Sequence, residues 1–140
     1  MTAGDPGVRG AAVVYAVDVP WVASFYEMVA GLARTTTEPG YVILESPGFE
    51  LAVVEIPAHL AQEIALATPA VRREDTPVKV AFFVPSIAHA REVASTLGGV
   101  IDPVDREWSF QGNLVCDGND PEGNVLQLRQ PLEVGDGGSA

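Results

Sequence analysis

Cysteine is almost missing from this 140-residue chain, in which Cys116 stands alone. A single thiol excludes an intrachain disulfide and fits a reducing compartment, so Cys116 reads as a small core residue. Histidine is nearly as scarce, with His59 and His89 only. Basic charge is also short: eight Lys and Arg stand against nineteen Asp and Glu, a formal charge of −11. Such a surface repels nucleic-acid phosphates and anionic lipid, which excludes both as expected partners and leaves neutral or cationic ones. No stretch approaches the roughly 20 apolar residues of a membrane span. Residues 1–6 lack the basic start and apolar core of a signal segment, so a cytoplasmic location is expected. What remains is one domain's worth of chain, enough to bury roughly two thirds of its unfolded surface without staples.

The same order of elements is written twice. Residues 11–17 form an apolar β-type run, Asp18 then caps a helix with Pro20 in its first turn, and Val22, Phe25, Val29 and Leu32 recur at helical spacing with Gly31 as the stop. Residues 78–84 form a second apolar run, Pro85-Ser86 opens a second helix, and Ile87, Ala90, Val93, Ala94 and Leu97 give its buried stripe before Gly98-Gly99. Sliding the chain by 68 positions pairs Val14 with Phe82, Tyr15 with Phe83, Ala16 with Val84 and Gly31 with Gly99. After each helix come strands and turns, at residues 41–44 and 49–56, then at 104–110, 114–116 and 125–128. Each half is therefore a βαβββ unit. Between the halves, residues 58–73 have the Ala, Leu, Gln and Glu content of a linker helix, with Leu60, Ile64 and Leu66 for an apolar face behind Pro57. The polar, Gly-rich ends, residues 1–7 and 132–140, read as flexible tails around a single domain at residues 8–131, with modules at about 8–57 and 77–131.

The second half closes on Asp120-Pro121-Glu122-Gly123-Asn124, a tight turn feeding the strand Val125-Leu126-Gln127-Leu128. Pro121 presets φ, and Gly123 supplies the left-handed residue that reverses the chain. With Asp18, Phe25-Tyr26 and Gly31-Leu32 in the first half, and Ala81-Phe82 with Val84 in the second, this turn resembles the vicinal oxygen chelate superfamily of glyoxalases, bleomycin-resistance proteins and extradiol dioxygenases. The resemblance implies an α+β fold of two βαβββ modules. It implies an open curved mixed sheet with helices on the outer face, a ligand cavity on the concave side, and commonly a homodimer.

The superfamily's enzymes hold a divalent metal with side chains of the first and a later strand of each module, usually His and Glu. Three or four deprotonated N or O donors must converge on the ion at about 2 Å. Carried over one position at a time, the first-module strand site falls at Ala11, or at Ala12 with a one-residue slip, and the second-module site at Lys79. Alanine offers no donor atom, and an ammonium donates but does not accept. The later-strand site is Gln127, a neutral carbonyl at best, and its counterpart is Glu50 or Glu55. These two are five residues apart and point to opposite faces of an unbroken strand, so one of them enters the cavity. His59, at the start of the linker helix, and His89, in the second helix, read as surface or packing residues. No metal and no other cofactor is expected.

Strand alternation sorts the cavity lining. If Lys79 faces the concave side, so do Ala81 and Phe83, and by the repeat so do Ala11, Val13 and Tyr15. Trp108 lies in a region where bleomycin-resistance-like relatives place ligand contacts, and its indole can stack on a heteroaromatic ring or hold a cation; it could equally plug a sheet edge or an interface. Trp21, in a first helical turn, reads as packing. Lys79 could be a base, a Schiff-base amine or an anion anchor if desolvated, or could pair with an acidic neighbour. The expected cavity residues are Tyr15, Lys79, Phe83, Trp108, Gln127 and Glu50. The expected function is binding of a small aromatic or cationic molecule, with antibiotic resistance by sequestration as one physiological form. The rivals are a lyase, isomerase or dioxygenase with an atypical metal site, a metal-free catalyst using Lys79, and a dimerisation module with no ligand.

Overall fold

The computed structural model describes residues 9–61 and 70–133. Strand β1, Gly10–Ala16, runs into helix α1, Val19–Ala30. The Asp18 side chain accepts a hydrogen bond from the Trp21 N–H at 3.0 Å, Pro20 fills the first turn, and Gly31 ends the helix at φ 72°. Strands β2, Ala33–Glu38, β3, Tyr41–Ser46, and β4, Phe49–Glu55, complete the first module. Their sheet has the order β1-β4-β3-β2, with β1 parallel to β4 and the rest antiparallel. After the short helix α2, Ala58–Ala61, the second module repeats the plan with β5, Val80–Phe83, and helix α3, Ile87–Thr96. Ser86 caps α3 by accepting from the His89 N–H at 3.0 Å. Strands β6, Val100–Ile101, β7, Trp108–Phe110, β8, Asn113–Asn119, and β9, Val125–Pro131, follow. The order is β5-β9-β8-β6, with β7 also on β8.

The fold is α+β with two mixed sheets, and several elements differ from the sequence reading. The strands form two separately hydrogen-bonded mixed sheets within the chain, one for each module, as the glyoxalase-like fold implies. Strands β2 and β6 were not foreseen: β2 reads Ala-Arg-Thr-Thr-Thr-Glu, a mostly polar run with no apolar alternation. The expected strand at 104–110 is a 3-10 turn, Val104–Arg106, followed by the three residues of β7. The expected helix at 58–73 is helical at Ala58–Ala61, while residues 62–69 lie outside the described residues and residues 70–73 are not helical. There Arg72 leaves any helical path to grip Asp102, with Nη2 2.7 Å from Oδ1, and its Nε donates to Asn119 at 3.0 Å. The tails at residues 1–7 and 134–140 also lie outside the described residues.

A single core is shared by both modules. Val22, Phe25 and Val29 of α1 meet Leu44, Leu51 and Val53 of the first sheet, while Ile87, Ala90 and Ala94 of α3 join Cys116, Leu126 and Leu128 of the second. Phe82 of β5 reaches across, its ring centroid 5.6 Å from Tyr26 and 5.8 Å from Phe49. Cys116 is fully buried and is a core residue. Trp21 packs on the turn after α3, where its Nε1–H donates to the Leu97 carbonyl at 2.7 Å. Close approach is enforced at Gly99, where a Cβ would sit 2.3 Å from Phe25 Cε1 and 2.7 Å from the Asn119 carbonyl.

The Asp-Pro-Glu-Gly-Asn turn is buried and joins the modules. Glu122, only 3% exposed, accepts hydrogen bonds from the Val17 and Asp18 N–H groups at 2.9 and 2.8 Å, where β1 gives way to α1. Asp120 is fully buried and accepts from the Tyr26 hydroxyl at 2.8 Å, from the Glu122 and Asn124 N–H groups at 2.9 and 3.0 Å, and from the Asn124 amide at 2.9 Å. Burial pushes the Asp120 carboxyl above its ordinary pKa even against these donors. Burial, then the neighbouring Asp120 charge and hydrogen bond, raise the Tyr26 phenol well above its own ordinary value. Gly123, at φ 89°, leaves no room for a side chain, since a Cβ would lie 2.2 Å from the Val71 carbonyl.

Asp120→Ala is expected to cost about 2–5 kcal/mol in urea unfolding, because the Tyr26 hydroxyl and the turn amides lose their acceptor inside a dry core. A raised carboxyl contributes stability that is present below the unfolded pKa and is lost as pH rises through the folded one. Relative to Asp120→Asn, the wild-type protein should therefore lose stability as pH climbs above the ordinary carboxylate range, a trend that paired melts at successive pH values would measure. Gly99→Ala is expected to cost about 1–3 kcal/mol by overpacking, read as a lowered unfolding midpoint.

Candidate functional site

Each sheet turns one face to the helices and leaves the other open. On β5, Phe82 is buried while Phe83 is 62% exposed, so alternation places Ala81 and Phe83 on the open side. Register then defines rows across the second sheet. Ala81 stands beside Gln127, and Gln127 beside Asp117. The next row runs Phe83, Arg129, Val115, Trp108, and the row beyond it Pro131, Asn113, Phe110.

A chain of polar contacts ties these rows together. Lys79 Nζ lies 2.8 Å from Asp117 Oδ2, and the Gln127 amide donates to Asp117 Oδ1 at 3.1 Å. Arg129 Nε donates to the Gln127 carbonyl at 2.8 Å, and its guanidinium carbon sits 5.3 Å from the centroid of the Phe110 ring. The cation is thus oriented by an amide on one side and an aromatic face on the other. Trp108 and Phe110 come from a hairpin whose corner holds Gln111 at φ 52° beside Gly112 at φ 77°. These angles suit the twist of a two-residue hairpin turn.

The first sheet presents a different surface. Its open side carries Ala11, Val13 and Tyr15 of β1, with Val13 54% and Tyr15 57% exposed. Glu50 pairs with Ala11 and with Glu45, so two carboxylates lie directly opposite each other on neighbouring strands. Glu45 accepts from Thr35 Oγ1 at 2.8 Å and pairs with Arg9 at 3.4 Å. Between the alternatives left by the sequence, Glu50 shares the open face. Glu55 follows the buried Leu51 and Val53 on the other face and lines a cavity of about 490 Å³ with Asp18 and Glu38. A cavity of about 400 Å³ lies at the junction of the modules, lined by Gly31, Leu32, Phe49, Ala81, Phe82 and Phe83.

The six expected cavity residues fall into two groups. Lys79, Phe83, Trp108 and Gln127 share the open face of the second sheet, and Tyr15 and Glu50 share that of the first. Tyr15 and Glu50 are separated by four residues of strand, about 13 Å, and do not form one contact. Sequence reasoning missed Asp117, Arg129 and Phe110. Gln127 held the signal for two of them: Arg129 lies two residues further on the same strand, and Asp117 is its partner on β8, which only the register reveals.

The donors do not fit a metal. Ala11 has none, Lys79 is held by Asp117, both ends of the Gln127 amide are engaged, and Arg129 places a permanent cation beside them. Among the described residues no three His, Cys, Asp or Glu side chains are grouped to hold an ion. Among them, too, no helix is long and apolar enough to cross a membrane.

This architecture recurs in known structures. A glyoxalase/bleomycin resistance protein/dioxygenase family enzyme from Burkholderia phytofirmans PsJN is 17% identical over 87% of this chain and 97% of its own, with a TM-score of 0.63. A glyoxalase/bleomycin resistance protein from Albidiferax ferrireducens T118 is 14% identical over 86% of this chain and 95% of its own, with a TM-score of 0.59. A mutant of the fosfomycin resistance protein FosX from Listeria monocytogenes, complexed with Mn(II) and 1S,2S-dihydroxypropylphosphonic acid, is 15% identical over 94% of this chain and 92% of its own, at a TM-score of 0.58. No family model and no curated protein sequence matches the chain. At these identities the likeness is one of fold: the chain has the vicinal oxygen chelate fold.

Lys79 and Asp117 are 39% and 27% exposed. Lys79→Met is therefore expected to change stability by less than about 1 kcal/mol in chemical unfolding, as for other solvent-screened pairs.

Proposed function

We propose that the protein binds a small aromatic or cationic molecule on its open sheet faces, without a catalytic metal. The observation that carries the aromatic reading is the row Phe83, Arg129, Val115, Trp108, in which two exposed aromatic side chains flank one side of a sheet. Exposed aromatic surface left open to water is stabilised when a planar ligand covers it. The cationic reading is supported by the opposed Glu45 and Glu50 on the first sheet. A metal-dependent lyase, isomerase or dioxygenase would need donors that Ala11, Lys79 and Gln127 do not supply.

Exposed Val13, Tyr15, Phe83, Trp108 and Phe110 also support a homodimer in which a second copy covers part of these faces. Sequestration of an antibiotic is the physiological form we favour, supported by the bleomycin- and fosfomycin-resistance names of proteins with this fold. A cytoplasmic setting agrees with the single buried Cys116.

Titrating purified protein with a panel of one- and two-ring aromatic compounds should change the fluorescence of Trp108 and raise the melting temperature. Trp108→Phe should abolish the spectral response while leaving the thermal shift. A flat response across the panel in both readouts would refute the aromatic reading. Stoichiometric Fe, Mn, Ni or Zn in protein purified without chelator would refute the metal-free one.

A further inference from the structure

We infer that Arg129 anchors an anionic substituent of the ligand, so that the open face of the second module takes an aromatic carboxylate with its ring between Phe83 and Trp108. This deepens the aromatic reading above and rests on it. The neighbours of Arg129 in the sheet are Phe83 on β5 and Val115 on β8, with Trp108 beyond Val115. None carries a charge. The one carboxylate in the adjoining row, Asp117, is engaged by Lys79 and by the Gln127 amide. Among the described residues Arg129 has no ion-pair partner, and the open face of these rows carries two cations against one carboxylate.

A structural role accounts for only part of the guanidinium. Gln127 takes the Nε–H, and Phe110 takes one face of the plane. The N–H groups on the two terminal nitrogens have no acceptor among the described residues, and they form the fork that matches a carboxylate with two parallel hydrogen bonds. Gln127 and Phe110 restrict the rotation of that fork before any ligand arrives, which lowers the ordering cost of binding. Apolar neighbours also strengthen its attraction for an anion by thinning the water around it. A singly charged carboxylate is favoured over a phosphoryl dianion, because the second cation of the face, Lys79, is already neutralised by Asp117.

The dimensions agree. Phe83 and Trp108 are separated by three strand spacings, about 14 Å between backbone positions; Val115 between them is fully covered, so a one- or two-ring molecule would lie over the side chains of the row and not on the sheet itself. The overall acidity of the chain does not oppose this locally, since Glu45 and Glu50 belong to the other sheet. Debye screening confines their repulsion to about 8–10 Å at ordinary salt.

Three probes of one shape test the inference: 2-naphthoate, 2-naphthamide and 2-naphthylmethylammonium, titrated by calorimetry into wild-type protein, Arg129→Lys and Arg129→Gln. Wild type should bind the acid at least about tenfold more tightly than the amide. Arg129→Gln should erase that preference while still binding the amide, and Arg129→Lys should keep part of it. If Arg129→Gln does not fold, the wild-type preference for acid over amide must shrink as salt rises, and a salt-independent preference would count against the anchor. Equal affinity for acid and amide overturns the anchor and leaves aromatic binding standing. Tightest binding of the ammonium overturns it in favour of the Glu45 and Glu50 face. No binding of any probe removes the anchor and the aromatic reading together.

Discussion

Two buried carboxylates in one turn hold this fold in register. Asp120 and Glu122 are out of water with no basic side chain paired to either among the described residues, and what compensates them is a set of N–H and O–H donors from both modules. An unpaired charge in such a place would cost several kcal/mol, so the arrangement persists only where all of its donors are in position. The donors come from the end of β1, from α1 and from the turn itself. Correct folding of the second module's last hairpin is therefore coupled to correct placement of the first module's helix. The same turn receives the returning linker, whose Arg73 N–H donates to the Gly123 carbonyl at 2.9 Å.

With the modules fixed in this way, what each sheet offers to solvent follows from pleat and register. A shift of one residue in β9 would bury Gln127 and Arg129 and expose Leu126 and Leu128, which the core does not permit. The open faces are consequently determined by the hydrophobic pattern of the opposite faces. They have diverged in character: the first carries an aliphatic and tyrosine surface with opposed glutamates, the second an aromatic row with a cation at its centre. The positions at which the resemblance implied metal ligands carry the Ala11 methyl group, the ion-paired Lys79 and the Gln127 amide held in a network.

Much of the architecture could be read before any coordinates. The repeat at 68 positions, the Asp18 and Ser86 caps, the Gly31 stop and the alternation that exposes Tyr15 and Phe83 all depend on local chemistry, and local chemistry is what a sequence displays. Strand β2 escaped because its Arg and Thr residues lie near a sheet edge where no apolar alternation is required. The linker helix was overextended because composition favoured it, while Arg72 is claimed by Asp102 and Asn119, a tertiary preference invisible in a propensity scale. The burial of Asp120 and Glu122 was hidden for a related reason: the sequence shows charge, and only the assembled modules show that water has been removed. Arg129 stays hidden beside Gln127 because a guanidinium is no metal donor, and its place on the open face depends on the strand register.

The placement of the aromatic row has a mechanical side. Arg129 sits on β9, which has a strand on either flank, whereas Phe83 sits on β5, paired on one side only, and Trp108 on β7, which hangs from β8 through a three-residue ladder with the left-handed Gln111 at its corner. Border strands shift at lower energy than inner ones, since fewer hydrogen bonds oppose their displacement. The middle of the row is thus stiff and its two walls are compliant. A recognition surface built on that plan holds the position of a charged group closely while tolerating rings of different breadth, and its selectivity is set by chemistry before size.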